Sequence, residues 1–144
     1  MPDIRHQIQI DAPAGRIFAL VSTAAGLAKW WAADVTEDAS AKTVELGFFK
    51  RSTIYRLKPI SMAAPREADW LCETGKEWAN TKINFKLTEN AGKTTLQFTH
   101  ADWQSESDYF TSCNTTWGGL MFRLKSAAEG KTPGPLFSAT GLAY

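Results

Sequence analysis

Between residues 105 and 129 the chain has no proline, and Tyr109, Phe110, Cys113, Trp117, Leu120, Met121, Leu124 and Ala128 recur at spacings of three and four. That period predicts one long amphipathic α-helix. Ser105 or Ser107 is placed to cap its start, and Gly130, with Pro133 beyond, to end it. Gly118 and Gly119 fall inside it at a cost of roughly 1–2 kcal/mol against alanine, which predicts a close backbone approach or a bend.

Most of what precedes this helix alternates with a period of two. Residues 4–10 put Ile4, His6, Ile8 and Ile10 on one face. Asp11 then reads as an N-cap and Pro13 as a first helical residue. Residues 13–21 and about 24–31 predict two short helices. Strands follow at 43–49, at 53–58 with Pro59 as its limit, at 67–74, at 82–88 and at 94–100. The turn at 50–52 joins the first two, and residues 89–93 make a hairpin turn between the last two. A sheet with one apolar face needs a cover, and only the C-terminal helix is large enough to supply it. The prediction is an α+β domain over residues 1–132. About seven antiparallel strands curve around the long helix, and two short helices follow strand one. A loosely ordered tail, 133–144, completes the chain, and Leu136, Phe137 and Tyr144 are the tail residues able to dock.

Charge narrows the possible partners. The 16 basic and 15 acidic side chains leave a net charge of +1, which gives no electrostatic basis for binding nucleic acid. No apolar run approaches the ~18 residues of a membrane span, and the first residues lack the apolar core of a signal peptide. A cytoplasmic location with reduced thiols at Cys72 and Cys113 is expected. Two histidines without clustered carboxylates make no metal site, and no cofactor motif is present: no P-loop, HExxH, CxxC or GxSxG.

The four stretches IDAPAGRIFALVS (10–22), LAKWW (27–31), TLQFTHADW (95–103) and TTWGGLMFRLKSAAEGK (115–131) occur in an order and spacing that resembles the START/Bet v 1-like superfamily. The likeness is to its Hsp90 ATPase activator homologue type. The resemblance implies the helix-grip fold. It also implies a choice of roles: binding a hydrophobic ligand, stimulating an Hsp90-type chaperone, or acting as a cyclase or hydrolase on a hydrophobic substrate. FFKRSTIYRL (48–57) departs from the glycine-rich hairpin of many relatives.

The aromatic content, six Trp, eight Phe and three Tyr, is the feature most suggestive of function. Large rings fill cores, and they also line apolar cavities. The candidate ligand-binding set is Trp31, Tyr55, Trp70, Phe85, Phe98, His100, Tyr109, Cys113, Trp117 and Met121; alternation or helical spacing directs Trp70, Phe85, Phe98, Tyr109, Trp117 and Met121 into the space between sheet and helix. His100 is either a pocket base or donor, or a buried histidine bonded within the fold, and His6 has the same two readings. Cys113 and Cys72 are nucleophiles only if a base and positive surroundings accompany them; otherwise they are small buried hydrophobes. Arg56 and Glu73 can reach a pocket mouth. Of the doublet Trp30-Trp31, Trp30 is expected in the core and Trp31 at the cavity rim. No catalytic residue is assigned, although an enzyme would draw on His100 or Tyr109. The expected partners are a small hydrophobic molecule and a chaperone, with the chain a monomer or homodimer.

Overall fold

The computed structural model describes residues 1–138 and 141–143, so the docking expected of Tyr144 lies outside the described residues. Strand β1 (Ile4–Ile10) leads into α1 (Ala14–Val21) and α2 (Ala24–Leu27). Then come β2 (Asp34–Asp38), β3 (Thr43–Phe48), β4 (Thr53–Ala63), β5 (Glu67–Cys72), β6 (Lys82–Asn90) and β7 (Lys93–Ala101). Helix α3 (Asp108–Ala128) and a small hairpin, β8 (Phe137–Ser138) and β9 (Gly141–Leu142), complete the chain. The seven long strands form one curved antiparallel sheet in the order β1-β7-β6-β5-β4-β3-β2.

Alternation drives this sheet. Ile83, Phe85 and Leu87 of β6 face Leu96, Phe98 and His100 of β7 on the covered side, all of them buried. Between them Ala91 and Gly92 both adopt positive φ, the geometry of the tightest hairpin turns. Helix α3 buries Phe110, Cys113, Trp117, Leu120, Met121, Leu124 and Ala128 against this face. Ser107 caps it, its hydroxyl accepting from the Phe110 amide at 3.1 Å.

Several local expectations are revised by tertiary contacts. Asp11 does not cap α1. The cap position is Pro13, and the Ala14 amide donates instead to Glu89 Oε1 on β6 at 2.7 Å. Pro59 does not end β4, because it falls where the register against β5 shifts, a place that tolerates a missing N–H. Strand β2 has no buried face, since it is the sheet edge, and so it lacks the alternation by which a strand is recognised. The paired glycines answer to no close approach. A Cβ on Gly118 would meet only His6 Cε1, at an ordinary 3.6 Å, and one on Gly119 would meet open space.

The tail is held. Leu136 and Phe137 amides donate to the carbonyls of Trp30 (3.1 Å) and Trp31 (2.9 Å), and Ala33 donates back to Phe137 at 2.8 Å. The Arg123 guanidinium donates to three tail carbonyls, those of Pro133, Gly134 and Ala143.

Candidate functional site

A cavity of about 310 Å³ opens between the β3–β4 end of the sheet and α3. The helix contributes Tyr109, Ser112, Cys113, Thr116, Trp117 and Leu120, a single stripe at helical spacing. Phe48, Phe49, Thr53 and Tyr55 come from the β3–β4 hairpin, and Trp78 from the β5–β6 connection. Trp31 forms the inner wall, and Phe137 and Leu142 bring the tail across one side. Tyr109 and Phe49 are partly solvent-exposed and mark the entrance.

Two features organise the wall. The Tyr55 and Tyr109 hydroxyls hydrogen-bond to each other and tie β4 to α3. The Tyr55 ring lies flat on Trp78, centroids 4.0 Å apart and planes 5° from parallel. Gly75 makes this possible. It has φ +121°, and a Cβ there would sit 2.5 Å from the Tyr55 ring. Burial pushes the Tyr55 phenol up to about 12 and raises Tyr109 as well, so both stay protonated at neutral pH. Burial likewise raises the Cys113 thiol. This is the opposite of what a nucleophile needs.

Of the ten residues read as candidates, the structure brings Trp31, Tyr55, Tyr109, Cys113 and Trp117 to this cavity. The other five lie behind its walls. Trp70 is anchored in the core, its indole N–H donating to the Val21 carbonyl at 2.9 Å. Phe85 and Phe98 pack on each other, and Met121 is buried outside the cavity lining. His100 has no exposed surface. Its Nδ1 accepts from Trp117 Nε1–H at 3.1 Å, while its Nε2 lies 2.8 Å from the Thr81 hydroxyl, which itself donates to the Trp78 carbonyl. Only one proton arrangement satisfies the chain, a neutral ring with hydrogen on Nε2. Burial pushes its pKa down to about 3. His100 therefore positions Trp117 and the Trp78 segment, and it is not part of the cavity lining. His6 packs near Phe98 and is also not part of the cavity lining.

The expected separation of Trp30 and Trp31 is corrected. Both are buried, and their rings stack at 5.7 Å. Trp30 Nε1–H donates to the Leu20 carbonyl at 2.8 Å. Trp31 is inner wall instead of rim because the tail folds back over it and Trp117 packs 4.8 Å away. Phe48, Phe49, Trp78, Phe137 and Leu142 were not foreseen at the site. Phe48 ends β3 as a buried residue, and the others arrive through turns and the tail, where no periodicity announces a buried face. Cys72 and Cys113 are free thiols. Arg56 and Glu73 pair at 3.1 Å along a separate polar groove lined by charged and hydroxyl side chains. Among the described residues no helix is long and apolar enough to cross a membrane.

A curved antiparallel sheet gripping one long helix, with a cavity between them, defines a helix-grip protein of the START/Bet v 1-like superfamily. The fold is that of the Aha1-like helix-grip proteins. The solution structure of the Aha1 dimer from Colwellia psychrerythraea superimposes with a TM-score of 0.80 at 28% identity, covering 90% of this chain and 98% of that one. A Staphylococcus saprophyticus protein (TM-score 0.71, 17% identity, 91% and 95% covered) and a Bacillus halodurans protein (0.70, 19%, 90% and 98%) share the fold. No model of a known protein family matches the sequence. No curated protein matches it either.

Proposed function

We propose that the chain binds a small, largely apolar molecule in the cavity between sheet and helix. The observation that carries this reading is the wall itself: Trp31, Phe48, Tyr55, Trp78, Trp117, Leu120 and Phe137 around a space of about 310 Å³, with a hydrogen-bonded tyrosine pair near its mouth. Apolar walls with a few convergent polar groups are the usual form of a small-molecule site. Titration with naphthalene and related hydrocarbons, followed through the indole N–H resonances, tests it. Trp31, Trp78 and Trp117 should shift, and Trp70, bonded to Val21 outside the cavity, should not. No shift with any compound, or equal shifts at every indole, would overturn it.

A second reading, stimulation of an Hsp90-type ATPase, is favoured by the 28% identity to the Colwellia protein named Aha1. The ATPase rate of the chaperone with and without this chain tests it. A cyclase or hydrolase reading would draw on His100, which lies outside the cavity lining, or on Tyr109, whose raised pKa makes it a poor base at neutral pH.

A further inference from the structure

Given that binding reading, on which this one rests, we infer that the cavity selects an uncharged two-ring aromatic bearing a hydrogen-bond-accepting oxygen, a ketone or its equivalent, seated against Tyr55, Tyr109 and Trp78. Size sets the first limit. A dry apolar cavity of about 150 Å³ accommodates benzene, so about 310 Å³ suits roughly two fused or linked rings.

Charge sets the second limit. No Lys, Arg or His lines the cavity among the described residues, so a carboxylate would be buried without a counter-ion. The charge that bears on Tyr55 and Cys113 is negative, the carboxylate of Glu77, held by the Ser107 hydroxyl at 2.6 Å. A cation fares little better. Cation binding needs open ring faces. Here two of the faces are taken up by neighbouring rings: Tyr55 lies flat on Trp78, and Trp78 is near-parallel to Trp117 at 6.1 Å and 19°.

Donor count gives the third. Two phenols sharing one hydrogen bond leave one phenolic hydrogen over. Trp78 Nε1–H is buried and has no hydrogen-bond partner. Tyr109 also bears on the Cys113 sulfur, a weak acceptor. The site thus holds a phenolic hydrogen and an indole N–H that no strong acceptor is shown to take up. A ligand oxygen supplies what they lack, and a bare hydrocarbon leaves them as they are.

Four probes on one ring system decide the matter by calorimetry at pH 7.5: 2-acetylnaphthalene, naphthalene, 2-naphthoate and a trimethylammonium naphthalene. The ketone should bind about tenfold tighter than naphthalene, the worth of one or two such hydrogen bonds, and about a hundredfold tighter than naphthoate. In the double variant Tyr55→Phe/Tyr109→Phe the advantage of the ketone over naphthalene should shrink severalfold, and the Trp70 indole signal, set by its bond to the Val21 carbonyl, reports that the variant is folded. Naphthoate or the ammonium compound binding as tightly as the ketone would overturn the inference. So would a ketone advantage untouched in the double variant, or naphthalene matching the ketone; in either case the binding reading would stand. If none of the four bound, both would fall.

Discussion

Trp117 Nε1–H donates to Nδ1 of His100 at 3.1 Å in a part of the core where every named neighbour of the imidazole is uncharged: Trp78, Trp103, Trp117 and the Thr81 hydroxyl. The bond requires a lone pair on Nδ1, so protonating His100 breaks it and leaves a charge without a partner. The Trp117 ring on the other end of the bond is cavity wall. One buried histidine thus joins the stability of the core to the shape of the site.

Stability should therefore depend on pH in a definite window. His100 titrates at about 3 in the fold, against an ordinary value of 6.5. Between those values the unfolded chain takes up the proton and the folded chain does not. The His100 contribution is complete above pH 6.5 and is lost as the pH falls towards 3, at up to about 1.4 kcal/mol per pH unit. Urea unfolding at pH 7.5, 5.5 and 4.5 measures it, and His100→Gln should flatten the slope.

Gly75→Ala should injure the site from outside it. The residue holds φ +121°, and its new Cβ would press on the Tyr55 ring. A loss of roughly 1–3 kcal/mol in unfolding free energy is expected from the backbone alone. Displaced Tyr55 should also weaken naphthalene binding and shift the Trp78 indole signal in the unliganded protein. Wild-type affinity and spectrum would show that Tyr55 is not held by this contact.

Gly119→Ala should stabilise. The position is exposed, within α3, and open for at least 4 Å around the added Cβ. Helix propensity predicts a gain of up to about 1 kcal/mol and a rise of a few degrees in Tm. Calorimetric melting of the variant beside wild type is sufficient.

Arg123→Ala should free the tail. Three tail carbonyls lose their donor together. Hydrogen exchange at the Leu136 and Phe137 amides, which now bond to Trp30 and Trp31, should speed up at least tenfold, and limited proteolysis should cut within residues 133–143. Exchange at Ile83 and Phe98 in the central strands should be unchanged.

The sheet and long helix were legible because burial on one face imposes a period on the residues, two in β6 and β7, three to four in α3. The cavity stripe of α3 was legible for the same reason, which is why Tyr109, Cys113 and Trp117 could be named. Periodicity reports which face is covered and not what lies against it. That is why Phe85, Phe98, Met121 and His100 were grouped with them, although they face packed side chains and not open space.

What sequence alone determined is the set of local choices, each made by the spacing of apolar residues and by turn-forming residues within a few positions of one another. What the tertiary structure decided is every choice settled between distant segments. Glu89 caps a helix 75 positions away, Trp117 and Thr81 set the tautomer of His100, and a tail beyond Pro133 turns Trp31 from rim into wall. Those contacts depend on distant segments meeting after the sheet has curved and closed on the helix. A cavity is the space left when such packing is incomplete, and no single segment carries it.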